Sequence, residues 1–265
     1  MTTCKNCGAA LGERYCPRCG QDAQEPPRDA RGLARLAAES VAALATRTLQ
    51  SLGSLLVRPG HLTRAYLDGQ RVRYTSPVQL YAWCTAGFFL LHAFFPVVRL
   101  DTETGEVTST LSSVSVATSV SPETLQRLSD GSVPREVFEE RFDAAVTAYF
   151  PILLIAYVAA AALLMAVQFW HESPLTHVLF ALHWAAFYFV LEAAREILSH
   201  LGPWGRIAAT AASALALAYL YLAMRRVYAR SAVGTALRTL FTSVASGALL
   251  GGWLWSTTLL AERLA

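Results

Sequence analysis

The sequence predicts an all-α polytopic membrane protein of about five transmembrane helices, with a small cysteine-bearing head at its N-terminus. Three observations carry this. Of 265 residues, 54% are hydrophobic and only 15% charged, against roughly 25% charged in an ordinary soluble domain. The apolar excess is concentrated in long segments after residue 76, and four of the five cysteines lie in two C-x2-C pairs near the start. With so few cysteines, 16 Gly and 11 Pro, the composition excludes a disulfide-dense secreted scaffold, a collagen-like chain and a disordered one.

The elements follow in order. Residues 1–30 are a polar head and linker, expected to carry no secretion signal because they hold no apolar run. Residues 31–76 form a neck. Within it, Leu33, Leu36, Val41, Leu44, Leu49, Leu52 and Leu56 recur at near-helical spacing, interrupted by Arg35, Glu39 and Arg47. That pattern predicts an amphipathic helix over 33–57 lying on a membrane surface or on the helical body, not crossing. Arg58-Pro59-Gly60 stops it, since proline cannot continue a helix. Residues 77–265 form the transmembrane domain, with spans expected at 77–98, 144–170, 175–198, 207–224 and 237–260. Each can cover a hydrocarbon core that takes roughly 20 helical residues. Trp170, Trp204, Tyr221, Trp253 and Trp255 fall at or near the proposed ends, as interfacial aromatics do.

Charge orients the chain. The segments 1–76 and 225–238 together carry 15 of the basic residues, and the other side carries 7. The positive-inside rule then places the N-terminus in the cytoplasm and the C-terminus outside; the expected location is the inner (cytoplasmic) membrane. The connection 99–143, with nine acidic and four basic side chains, becomes an extracytoplasmic loop. Its Ser- and Thr-rich first half reads as irregular. Residues 134–142 read as a helical lead-in to the second span, with Ser132 near its N-cap.

Cys4, Cys7, Cys16 and Cys19 are spaced C-x2-C-x8-C-x2-C, and Gly8 and Gly20 directly follow each pair. Two thiolates three positions apart grip one metal from a tight knuckle, and two knuckles complete a tetrahedral sulfur shell. One structural Zn2+ is the expected cofactor, the head then being a zinc ribbon; iron in the same cage and a disulfide or redox pair are the alternatives. A four-sulfur shell has no open position, so the zinc is not expected to catalyse. The tip can be merely stapled, or it can be a docking surface for a cytoplasmic protein. Nucleic acid is disfavoured, because the positive excess of 1–76 is what a cytoplasmic flank carries anyway. Cys84, in the first span, reads as a small buried apolar residue.

The opening CKNCGAALGERYCPRCGQ and the later RPGHLTRAYLDGQRVRYTSP resemble an uncharacterised bacterial family of zinc-ribbon membrane proteins catalogued as domain of unknown function 3667. In that family a zinc ribbon precedes motifs resembling R-P-G, Y-L-x-G-x-R and Y-x-x-P. The matching positions are Arg58, Pro59, Gly60, Tyr66, Leu67, Gly69, Arg71, Tyr74 and Pro77. The resemblance implies an architecture and no activity. The same block gathers Arg58, Arg64, Arg71 and Arg73 at the expected membrane face. They read as a topological anchor on membrane lipids or as a contact for an anion or lipid headgroup, with His61 as a companion.

Ionisable groups inside a bilayer are costly and therefore candidates for function. Glu192, Glu196 and His200 follow at i, i+4 and i+8 with Arg195 beside them, His183 lies nearer mid-span, and His92 is on the first span. They can form a neutralised pair at a helix end or an outer-leaflet pocket for protons or a metal. His171, Glu172 and His177 read as interfacial. No H-E-x-x-H, phosphate-binding glycine loop or G-x-S-x-G elbow occurs. Ser243, Gly247 and Gly251 recur every four residues, which suits close helix packing within the chain, with a homo-oligomer left open. The leading functional reading is a non-enzymatic adaptor or regulator whose ribbon docks a partner. A small transporter or channel using the Glu/His cluster is the first alternative, and an integral membrane enzyme the second.

Overall fold

A computed structural model describes residues 3–4, 7–10, 12, 15–18, 30–92, 98–101, 104, 106–109 and 116–264. The chain divides into two units, Met1–Arg47 and Thr48–Ala265. In the first, the segment after Cys4 turns back on itself. Gly8 N–H donates to Cys4 O at 2.9 Å, Cys4 N–H donates to Ala9 O at 2.8 Å, and Thr3 bridges Ala10 in antiparallel fashion. Gly8 takes φ 73, a left-handed conformation that costs a side chain but not glycine.

Helix α1 (Ala30–Val57) covers the predicted amphipathic segment, and from Thr48 onward it belongs to the second unit. There Ser51 and Leu55 are buried, while Leu49, Leu56 and Val57 are exposed. The Arg58-Pro59-Gly60 stop holds. Beyond it lies a short helix that the hydropathy pattern did not announce, α2 (His61–Leu67), and then α3 (Pro77–His92). Glycine and serine set these boundaries. Gly69 (φ 90) follows α2, with its N–H donating to Tyr66 O and that of Gln70 to Ala65 O, the paired bonds of a Schellman end. Ser76 accepts from Gln79 N–H at 3.3 Å just before Pro77, which caps a helix opening on proline.

The first half of the connection, expected to be irregular, instead holds a three-stranded antiparallel meander, β1 (Val98–Leu100), β2 (Glu106–Ser109) and β3 (Val116–Ser119). Val98 pairs with Ser109, and Glu106 with Ser119. Short Val/Thr runs favour the pleat, and Val107 is fully buried. Three or four residues per strand are too few for alternation to stand out among so many Ser and Thr. Helix α4 (Pro122–Ser129) follows, capped by Ser121. Helix α5 runs unbroken from Arg135 to Gln168, so the lead-in and the second span are one element. Ser132 does not cap it. Pro134 holds that position, and the Ser132 hydroxyl donates to Arg127 O at 3.1 Å.

Among the described residues, three helices are long and apolar enough to cross a membrane: α6 (Pro174–Ser199), α7 (Gly202–Tyr228), and α8 (Ala232–Leu264) over Ala232–Leu260. At the first two expected spans, the apolar stretches are the shorter Pro77–Leu91 and Leu154–Gln168. Helix α6 packs against α3, α5 and α7, and α8 packs against α5 and α7. Aromatic contacts fix these crossings. Phe187 of α6 stacks on Tyr219 of α7 at 3.6 Å, and Phe88 of α3 meets Phe189 of α6 at 5.0 Å. The outward faces stay greasy, with Ile155, Leu163, Leu217, Leu240, Phe241 and Val244 all exposed. Water penalises so broad an apolar surface, and lipid does not.

Helix α8 tolerates most of its hydroxyls because they close local bonds. Thr235, Thr239, Thr242, Ser243, Thr257 and Thr258 all donate to the carbonyl four residues back, which satisfies the side chain without help from water. Its small-residue stripe does not produce the expected close packing at Gly247, where an added Cβ would meet nothing within 4 Å.

Candidate functional site

The thiols converge as their spacing requires. The Sγ atoms of Cys4, Cys7 and Cys16 lie within 4.8 Å of one another, with Cys4 and Cys16 buried and Cys7 half-buried. Cys7 and Cys16 are 3.6 Å apart at sulfur, well beyond a disulfide bond of about 2.05 Å. Three inward thiols on a tight turn could hold a metal ion. Cys19, the expected fourth ligand, lies outside the described residues.

The arginine-rich block is a folded platform on the helical body rather than a solvated tether. Gly60 (φ 69) passes so close to α7 that a Cβ would sit 2.7 Å from Ala223 O. Pro59 O accepts from Arg226 at 2.9 Å. Thr63 and His183 join α2 to α6 through Oγ1 and Nδ1 at 3.0 Å, both side chains buried. At the end of α1, Leu55 O accepts from the Tyr219 hydroxyl, so an otherwise orphaned carbonyl is satisfied. Thr75 N–H donates to Ser51 Oγ at 2.9 Å, and the Thr48 and Thr75 hydroxyls meet at 3.2 Å.

The four arginines of this block separate into two kinds. Arg64 pairs with Asp68 at 3.5 Å on the exposed side of α2, and Arg71 lies over the Tyr66 ring at 5.2 Å. Arg58 and Arg73 line a groove of about 420 Å3 with Gln50, Ser54 and Tyr74. His61 Nε2 and Tyr74 OH are 3.1 Å apart beside it. Burial first, and then the Arg58, Arg226 and Arg73 guanidiniums, hold the His61 imidazole below its ordinary value of 6.5.

The polar residues inside the helices are brought together only in part. Glu192 pairs with Arg195 at 2.5 Å, and Arg195 Nε also donates to Ala209 O of α7 at 3.0 Å. Glu196 meets His200 Nε2 at 3.1 Å. His183 is engaged by Thr63 of α2, and among the described residues no hydrogen bond or ion pair joins it to Glu192. The His92 side chain lies outside what is described. One cluster had no signal in the hydropathy pattern. His177, expected at the interface, is buried, bonds Tyr228 OH at 3.1 Å, and shares that ring with Phe169, stacked at 3.9 Å. Arg238 lies 5.2 Å over Phe169. The companion residue, His171, is exposed against Trp170.

Fold and site thus define a helical protein of membrane type with a cysteine cluster able to bind metal. Residues 47–89 match the family model described as a protein of unknown function (DUF3667), the family that the juxtamembrane block resembles. The matched segment runs from the end of α1 through α2 and most of α3, and it does not include the cysteine pairs. No curated protein and no solved structure matches the chain.

Proposed function

We propose that the protein is a five-span protein of the inner membrane whose zinc-stapled N-terminal head stands in the cytoplasm and docks a protein partner, without catalysis. The observation that carries this is the convergence of three thiols. Four sulfurs around zinc at about 2.3 Å are separated by about 3.8 Å edge to edge, close to the 3.6 Å between Cys7 and Cys16. Cys19 is the fourth ligand in this reading, and the closed shell leaves zinc a structural role. The orientation is supported by charge. Arg58 and Arg73 of the neck and Arg226 at the end of α7 gather at one end of the helical body, the end assigned to the cytoplasm by the excess of arginine.

Metal analysis of the purified full chain tests the head: one zinc per chain is expected, lost in Cys4→Ser with Cys16→Ser, and a different metal or none would reject zinc. Crosslinking in intact membranes tests docking. The double variant should lose head-dependent crosslinks while still inserting, and an unchanged set would overturn the adaptor reading. Reporter fusions at Thr104 and Arg230 should report opposite sides of the membrane.

A small transporter is the second reading, favoured by one observation. Glu192 is 3% exposed inside α6, a carboxylate buried beside Arg195 and Tyr188, an arrangement that is costly unless it is used. Glu192→Gln in proteoliposomes should then change proton or solute flux; equal flux would remove this reading.

A further inference from the structure

The groove between the end of α1 and the turn before α3 has a chemistry of its own. Its volume of about 420 Å3 lies within the span of small-ligand sites, about 300–1,000 Å3. Arg58 and Arg73 both line it, and among the described residues neither is ion-paired. Gln50, Ser54 and Tyr74 add hydrogen-bonding groups to the same walls, and no carboxylate is among them. Arg226 stands nearby, because it too raises the positive potential felt by His61. Guanidiniums are planar forks of donors matched to phosphate oxygens. Two of them line one open concavity that has no acid in its walls, with Arg73 braced 5.5 Å over the Tyr74 ring, so their donors are available to an anion.

We infer that this groove binds a phosphate group, held between Arg58 and Arg73 and oriented by Gln50, Ser54 and the Tyr74 face. Arg64, paired with Asp68, and Arg71 are not among the residues lining the groove and take no part. The phosphate can belong to an anionic phospholipid or arrive free from solution. The groove lies in the segment that matches the family model, which gives that segment a ligand as well as a packing role. Only the lipid source rests on the membrane placement proposed above.

The full chain in nanodiscs of phosphatidylcholine, with and without phosphatidic acid, separates the sources. Native mass spectrometry counts retained phosphatidic acid, and calorimetry with inorganic phosphate on the neutral discs reads free phosphate. Saturable binding in either arm, weakened about tenfold or more by Arg58→Gln and again by Arg73→Gln, is expected from the loss of one charged hydrogen-bonding fork at a time. Arg64→Gln should leave binding unchanged. Arg58→Lys with Arg73→Lys keeps the charge and should retain intermediate binding, so a glutamine variant that failed to fold would not decide the matter. Binding in neither arm overturns the site, as does equal binding by the arginine and double-glutamine proteins. Weakening by Arg64→Gln as large as that at Arg58 would reduce the effect to general surface charge and overturn it too. A wrong result from the Thr104 and Arg230 fusions would reject the orientation and leave the free-phosphate arm standing.

Discussion

At Gly60 two constraints coincide. The backbone sits at φ 69, and an added Cβ would lie 2.7 Å from Ala223 O, a backbone atom that cannot swing away. Gly60→Ala should therefore destabilise the helical body by about 1–3 kcal/mol, measured as a fall in the unfolding temperature of the detergent-solubilised protein. A shift no larger than that of Gly53→Ala, at an open helical position, would contradict it. His61 carries a pH effect. Its folded value is held below 6.5 by burial and three arginines, so the unfolded chain binds the proton more tightly. The stability contributed by neutral His61 is present above about pH 6.5 and is lost as the pH falls toward the folded value. His61→Gln should flatten the acid limb of stability against pH, and an unchanged limb would assign the effect elsewhere. At this scale the cysteines were the most legible, because ligand spacing is local chemistry. The partners of His61, His177 and His183 were not legible, since each is supplied by a residue between 13 and 120 positions away.

Helix α2 shows what element-level patterning misses. Seven residues long, it makes fewer than two turns of about 3.6 residues, too few for a hydrophobic period. What fixes it is docking. Leu62, Thr63 and Ala65 are buried against α6 and α7, with Gly60 and Gly69 as left-handed stops at either end. The glycines and the proline were visible in the sequence as punctuation, but the surface they serve was not. The same limit hid the β1–β3 meander, whose strands of three or four residues carry no clear alternation. By contrast α6, α7 and α8 were readable within a few residues, because long apolar runs need no partner to be recognised. The Thr63–His183 bond should carry much of the α2 docking. Thr63→Val removes this buried hydrogen bond and should cost about 0.5–1.5 kcal/mol. Combined with His183→Leu in a double-mutant cycle, it should show a coupling of about 0.5–3 kcal/mol, read from thermal unfolding. Additive losses would mean that α2 is held by its apolar contacts alone.

For the whole molecule, the division at Arg47 separates two sources of stability. The helical body draws its core from Leu55, Leu80, Phe88, Phe187, Met224 and Leu254, all buried and all within 48–265. The head has nothing comparable among its described residues: Cys4 and Cys16 are its buried hydrophobic side chains, and Tyr15 is 57% exposed. A chain so short of apolar burial cannot offset the entropy of ordering itself, roughly 1–2 kcal/mol for each backbone residue. Structural zinc in small thiolate sites contributes on the order of 10 kcal/mol, enough to offset that entropy over several residues. Chelation of the metal should thus act on one unit and spare the other. With a strong zinc chelator, limited proteolysis should open new cleavage sites within residues 1–30, while the fragment containing α2 to α8 keeps its resistance and its unfolding temperature. Restoring zinc should close those sites. If the head stayed protected after its metal was removed, the cysteine turn would be held by something other than the ion, and the zinc assignment would fail with it. If instead the body lost stability in step with the head, the two units would have to be treated as one folding unit, and the independence of the helical core would be the claim to abandon.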